Sequence, residues 1–372
     1  MPFQILHLSD LHLDAALPAL GPQRRADLRA ALGRILALAR ERKVDAVTVA
    51  GDLYEQAYAL PEIADFLAQQ FARLAPIRVF IAPGERDPYT HDSLYALTRW
   101  PENVTLFTQG RLTPLELAPG IFLWGAACPP ARGGRDLAGL RVDRAGVNLL
   151  LLHAADSAVP GDEALFTVDA AAVRAAGFDL ALLGHQHGGR RSPEDAPVCI
   201  YPGSPEPLGL AEDAGGHHVA LVTLHAGACA VDLLPVNRWR ALALTVDLTA
   251  CADVAEIAAR VCAALRAARA DADARTLCTV TLTGAPDCAP DLAALRGQVD
   301  VQAHVRYELR LTSPYDLERL AQEQTVRGLL VRRFQARLDR ITNADERRRA
   351  LTALTLALQA LEGKQVQPYE IA

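Results

Sequence analysis

Short apolar runs alternate with amphipathic stretches through the first 190 residues of this chain, and that alternation constrains its fold more than any other feature. FQILHL (3–8), DAVTVA (45–50), IRVFIA (77–82), IFLWGA (121–126), VNLLLL (147–152) and FDLALLG (178–184) each have the length of a strand. Between the first two, RADLRAALGRILALARER puts Leu28, Leu32, Ile35 and Leu36 on one helical face. Further helices are expected around 61–74 and 169–176. Strands that are apolar on both faces need cover on both sides, so the expectation is a layered α/β fold. VCIYPG and HHVALVTL (217–224) continue the strands, which ends a first domain at residue 238.

The rhythm then changes. In residues 239–314, ALALTVDL, DVAEIAARVCAALRAARA, LCTVTLTG and HVRYELRLT read as strand, helix, strand and strand, a small α/β cap domain. Residues 315–372 are a helical segment. DLERLAQEQTVRGLLVRRFQARLDRI reads as one long helix, and NADERRRALTALTLALQALEG starts at Asn343 as N-cap and ends near Gly363. Within the latter, ALTALTLALQAL is apolar on too many faces for an isolated surface helix. Docking of a partner and packing onto the chain's own domains both answer that.

Composition narrows the function classes. A chain of 372 residues, 51% hydrophobic and 22% charged, has ample material for two or three domains. Its net charge of −6 rules out a global basic field, so any phosphate-binding surface is local. Seven cysteines, without a Cys-x-x-Cys pair, argue against a disulfide framework or a cysteine zinc site. A reducing cytoplasm is the expected location. MPFQILHLSD has no basic start or long apolar run, so no signal peptide is expected. No window approaches the roughly 20 apolar residues of a membrane span, and no membrane association is expected.

Chemistry gathers just after the expected strands. SDLHLD carries Asp10 and His12, AGDLYE carries Asp52, and PGERD carries Glu85, Arg86 and Asp87. LLLLHAAD carries His153, and LLGHQHGG carries His185 and His187. In open α/β sheets, ligands bind at the carboxyl ends of strands, so five such loops converge on one rim. Asp10 and His12 are two residues apart and point the same way from an extended strand end, as do His185 and His187. A carboxylate that can bridge, several imidazoles and further oxygen donors form a mixed N/O site. That set suits two divalent metals, manganese first with iron or zinc as alternatives, rather than magnesium or calcium alone.

The order D-x-H, G-D, a third loop, H and G-H-x-H resembles the calcineurin-like metallophosphoesterases. SDLHLD, AGDLYE, LLGHQH and YPGSPEPLGLAEDAGGHHVALVTL are more narrowly similar to the SbcD/YhaO branch of DNA repair exonucleases. The similarity covers residues 1 to about 225; the cap and C-terminal helices match in layout only. It implies a metallophosphoesterase sandwich with a cap that positions DNA. It also implies that Asp10, His12 and His187 hold one metal, that His153 and His185 hold the other, and that Asp52 bridges both. The implied partners are DNA and an ABC-type ATPase of the SbcC or YhaN sort, and a homodimer is a further expectation. The implied activity is that of a two-metal phosphodiesterase, a DNA nuclease subunit in repair. The alternatives are an enzyme of the same fold acting on a small phosphoester, and a catalytically weakened partner subunit.

The third loop departs from the family's G-N-H-D. Glu85 stands where the resemblance implies an Asn metal ligand, and Arg86 where it implies a His that stabilises the transition state or acts as general acid. Asp87 keeps its match. Arg86, Asp87 and His153 are the expected catalytic residues. Glu85 can still coordinate a metal through oxygen. Arg86 can contact phosphate bidentately but cannot give up a proton to a leaving alkoxide. His91 is a candidate substitute acid, and Arg190 and Arg191 are candidate phosphate contacts.

Overall fold

Phe3–Leu8 sends alternate side chains to opposite sides: Ile5 joins one apolar core, Leu6 and Leu8 another. A strand patterned this way is covered on both faces. The computed structural model describes residues 2–15, 20, 23–128, 137–158, 166–196, 198–210, 216–225, 227–269, 275–288 and 290–363. The chain divides into two units, Met1–Trp239 and Arg240–Ala372.

In the first unit one six-stranded sheet has the spatial order Ala228–Pro235, His218–His225, Phe3–Leu8, Ala46–Ala50, Arg78–Ala82, Val104–Leu106. A second six-stranded sheet has the order Arg190–Ser192, Cys199–Tyr201, Leu180–Gly184, Val147–His153, Ile121–Gly125, Thr113–Ala118. Ile5, Phe80 and Val222 of the first meet Leu149, Leu151 and Leu182 of the second in a shared core. Helices Gln23–Arg42 and Pro61–Ala72 cover the other face of the first sheet, with Leu28, Ile35, Leu67 and Phe71 against Leu6, Val47 and Ile81. Helix Ala170–Ala176 covers the second, with Val173 and Ala176 against Leu150 and Leu183. The layered α/β sandwich expected from the strand pattern is the one observed.

Direction matters more than layering for the site. Phe3–Leu8, Ala46–Ala50 and Arg78–Ala82 are parallel neighbours, so their carboxyl ends emerge together. Val147–His153 and Leu180–Gly184 are likewise parallel, with His153 opposite Gly184.

The second unit contains a parallel three-stranded sheet, Arg240–Asp247, Thr276–Gly284 and His304–Leu311. Helices Val254–Ala267 and Leu292–Gln298 pack Ile257, Val261 and Leu295 against Val280 and Leu282. The stretch read as one long helix is two, Leu317–Gln322 and Val326–Leu338. Thr325 breaks it: its side chain accepts from the Gly328 N–H at 3.2 Å, and it caps a new helix rather than continuing the old one. Asn343 caps Ala344–Leu361 as expected, accepting from the N–H groups of Asp345 and Glu346. Leu354 and Leu358 of that helix are buried within this unit, against Leu320 and Val331. Its apolar surplus is thus largely satisfied by its own chain. Among the described residues no helix is long and apolar enough to cross a membrane.

Candidate metal centre

The ligand loops turn sharply. Asp10 (φ 53°), His12 (φ 47°), Asp52 (φ 49°) and His185 (φ 103°) all have positive φ, which costs a non-glycine residue about 1 kcal/mol or more. Main-chain bonds hold them there. Asp10 N–H donates to Gly51 O at 3.1 Å, and His12 N–H to Asp52 O at 2.9 Å. Two glycines permit the closeness. A Cβ on Gly51 would stand 2.8 Å from His153 Nδ1, and one on Gly84 would collide with Asp52 Oδ1.

Two groups of donors result, each with ligand atoms within 4.8 Å of one another: Asp10, His12 and His187, and Asp10, Asp52 and His153. Asp10 belongs to both. Asp52 Oδ2 lies 3.7 Å from His12 Nε2 and 3.5 Å from His153 Nε2, so it faces both halves as well. His12 Nε2 and His187 Nε2 approach to 3.2 Å. His185 is outside both groups; its ring stacks edge-on to His153 at 5.4 Å, and its N–H donates to both Asp10 oxygens. Glu85 is also outside them and is half-buried.

The Gly84–Asp87 loop is held by its main chain and by Asp87. Arg86 N–H donates to Asp52 Oδ1 at 2.8 Å, and the Arg86 residue is exposed. Asp87 is fully buried and accepts four bonds: from the N–H groups of Asp52 (2.9 Å), Leu53 (2.8 Å) and Gly84 (2.6 Å), and from Tyr95 Oη (2.7 Å). One carboxylate thereby fastens the Asp52 loop to the Gly84–Asp87 loop.

Charge is concentrated and buried. Burial works against the imidazolium of His153, yet the carboxylates of Asp52 and Asp10 hold its pKa up at about 9. For Asp52, burial opposes ionisation, but His153, His12 and the Arg86 N–H outweigh it and keep the carboxyl below its ordinary value. Burial first, and then the charge of Asp52, pushes Asp87 up to about 7, against its hydrogen-bond donors.

These residues fit a divalent transition metal. Carboxylate oxygens combine with imidazole nitrogens, the donor set such ions prefer. His153 Nδ1 donates to Ala50 O at 2.9 Å, which makes Nε2, beside Asp52, the atom whose lone pair a metal would take once its proton leaves. That Nε2 is buried without a hydrogen-bond partner, and a Lewis acid is what it lacks.

Other expected residues lie elsewhere. The His91 side chain is 96% exposed, beside Asp92. Arg190 pairs with buried Asp156 at 3.1 Å, linking the loop after His153 to the strand after His187. In the similar segment 201–224, residues 211–215 lie outside the described residues. Two supporting groups were not singled out from sequence. Glu55 Oε1 accepts from His12 Nδ1 at 2.6 Å, and Tyr95 holds Asp87. Glu55 sits three residues after Asp52 in AGDLYE, a spacing that by itself does not signal a partner for His12.

A family model described as calcineurin-like phosphoesterase matches residues 3–189. Among solved structures, TT1561 of Thermus thermophilus is 15% identical over 63% of this chain and 99% of that one, with a TM-score of 0.40. GAP50, the anchor in the inner membrane complex of Plasmodium, is 8% identical over 63% of this chain and 85% of that one, with a TM-score of 0.38. A conserved uncharacterized protein of Streptococcus pneumoniae TIGR4, described as a predicted phosphoesterase, is 14% identical over 63% and 90%, with a TM-score of 0.32. No curated protein matches the chain.

Proposed function

This chain belongs to the calcineurin-like phosphoesterase family, and on that premise we propose that it is a two-metal phosphodiesterase acting on DNA as a nuclease subunit. The observation that carries the two-metal reading is the position of Asp52 Oδ2, 3.7 Å from His12 Nε2 and 3.5 Å from His153 Nε2. One carboxylate oxygen faces an imidazole of each half. Asp10, His12 and His187 would hold one ion, and His153 with His185 the other, Asp52 being shared. Manganese is the first choice of metal.

Bound divalent ions supply a polarised phosphoryl group and a nucleophilic water at neutral pH. The protein's part is positioning. Glu55 fixes the ring of His12, and Ala50 O fixes that of His153. Asp87 keeps the two loops around Asp52 in register. Exposed Arg86 is suited to gripping a non-bridging phosphate oxygen but has no proton to give the leaving alkoxide, which is left to water. DNA as substrate rests on the similarity of SDLHLD, AGDLYE and LLGHQH to the SbcD/YhaO branch. The ATPase partner rests on the same resemblance, and exposed Val326, Leu329 and Leu361 are apolar residues it would cover.

The test is metal content and hydrolysis after reconstitution with manganese. About two ions per chain are expected in native protein. Asp52→Ala should lower occupancy of both sites, whereas His12→Ala should mainly affect one. Native protein should cleave both DNA and an aryl phosphodiester. A stoichiometry near zero ends the metallo-enzyme reading, and hydrolysis of the aryl ester without DNA cleavage ends the nuclease reading.

A further inference from the structure

We infer that the helical hairpin of Val326–Leu338 and Ala344–Leu361 carries a docking surface for the phosphodiester backbone of DNA at its closed end. This rests on the nuclease reading and extends it to a surface outside the metal centre. In a chain of net charge −6, residues 327–349 hold eight arginines against three acidic residues, Asp339, Asp345 and Glu346.

The eight divide into two sets. Four are already engaged with partners on their own chain. Arg327 pairs with Glu323 at 3.2 Å and Glu362 at 3.1 Å, and Arg332 donates to the carbonyls of Ala321 and Glu323. Arg347 donates to Leu338 O, and Arg348 pairs with Asp345 at 3.4 Å. The other four, Arg333, Arg337, Arg340 and Arg349, are exposed. Among the described residues their side chains make no hydrogen bond or ion pair.

Their placement is not scattered. Arg333 and Arg337 are one turn apart, about 6 Å along the axis at the usual helical rise. They lie on the side of their helix away from buried Gly328, Val331 and Leu338. Arg340 follows the end of that helix, and Arg349 stands in the second turn of the next. Arg337, Arg340 and Arg349 therefore lie toward the turn that joins the helices, and Arg333 stands mid-helix, one turn before Arg337.

The partner class follows from what is beside them. A protein interface needs an apolar centre within its charged rim. The exposed large apolar residues of this hairpin, Val326, Leu329 and Leu361, lie at the start of one helix and the end of the other, which is the open end. Leu329 stands one turn before Arg333, but Arg337, Arg340 and Arg349 have none of them beside them. Uncompensated guanidinium groups without an apolar centre suit a phosphate backbone, whose condensed counterions they release.

The test uses full-length protein with a fluorescent duplex, in EDTA so that no cleavage occurs, over a range of KCl. The variant is Arg333→Gln, Arg337→Gln, Arg340→Gln and Arg349→Gln together. Every phosphate that the variant no longer neutralises should reduce the slope of log affinity against log salt by about 0.9, so a fall of about 3.6 is expected if each of the four contacts one phosphate. Metal content and hydrolysis of an aryl phosphodiester should match the native protein, which reports a folded variant. If native protein binds and cuts DNA and the variant has the same affinity and slope, the docking surface is wrong while the nuclease reading stands. If native protein hydrolyses only the aryl ester and does not bind duplex, the nuclease reading fails and takes this inference with it. If the variant keeps DNA but loses affinity for polyglutamate, the arginines serve an acidic protein and the inference is overturned.

Discussion

Arg86 reaches Asp52 through its backbone: the N–H donates to Oδ1 at 2.8 Å, and the residue is otherwise exposed. A main-chain donor is indifferent to the side chain it belongs to. The Gly84–Asp87 loop thus holds the carboxylate that faces both halves of the centre whatever side chain stands at position 86. What the side chain at position 86 decides is the chemistry offered to substrate. An imidazole can give a proton and a guanidinium cannot.

Metal content should therefore be unchanged in Glu85→Asn with Arg86→His, while the rate on DNA rises relative to an activated aryl phosphodiester. A poor leaving group gains from a general acid and a nitrophenolate does not. General acid catalysis is typically worth about 10²–10⁴-fold, which bounds the gain. Equal metal occupancy with an unmoved rate ratio would mean that residue 86 does not stand beside the leaving group.

Metal binding should expel a proton. His153 in the metal-free protein holds its proton up to about pH 9, because Asp52 and Asp10 face it. A metal takes only the neutral ring. Affinity for the ion held by His153 should climb from pH 7 toward 9, with about one proton released per chain as that ion binds near neutral pH. The folded pKa is raised, so in the metal-free protein His153 contributes stability fully below its ordinary value of 6.5, lost as pH rises through about 9. Titration calorimetry in buffers of different ionisation enthalpy counts the proton; a count of zero contradicts the assignment.

Tyr95→Phe removes one of the four donors to Asp87 and nothing else. Leaving a buried acceptor one bond short costs about 1–3 kcal/mol. Because Asp87 ties the Asp52 loop to Gly84, metal affinity should fall as well. Urea unfolding with and without manganese separates the two effects. A variant with native stability and native affinity would show that the remaining three donors suffice.

Much of this was legible in the chain because it depends on local pattern. Apolar runs of strand length, separated by helical faces, dictate layers, and Asp10, His12, Asp52, His153 and His187 stand where parallel strands end. The parts that were not legible depend on contacts between distant segments. Glu55 and His12 are 43 residues apart, and nothing in AGDLYE says which way the glutamate turns. Arg190, a candidate for phosphate, is neutralised by Asp156 because folding brings two ligand loops side by side. The two helices after Leu317 looked like one because a single threonine cap interrupts a continuous apolar period.

His7 lies in the strand leading to Asp10 but belongs to neither donor group. It is fully buried, with Nδ1 3.0 Å from Thr48 Oγ1 and Nε2 3.2 Å from Leu183 O, so it ties the first sheet to the second. Nε2–H donates to the carbonyl, and Nδ1 accepts from the hydroxyl, an arrangement only the neutral ring satisfies. Burial lowers its pKa from 6.5 to about 4, against the hydrogen bonds. The unfolded chain then takes up a proton that the folded one refuses. His7 costs nothing above pH 6.5, and its penalty grows as pH falls from 6.5 to about 4. The full shift corresponds to a loss on the order of 3 kcal/mol at about 1.4 kcal/mol per pKa unit. His7→Gln keeps a donor and an acceptor but cannot titrate. It should be less stable than native protein at pH 8, by about 1 kcal/mol for an imperfectly replaced bond, and the difference should shrink or reverse by pH 5. Urea unfolding of metal-free native protein and variant at both pH values measures this, and groups common to both cancel in the difference. A gap that stays the same at pH 8 and pH 5 would mean that His7 is not the residue that refuses the proton.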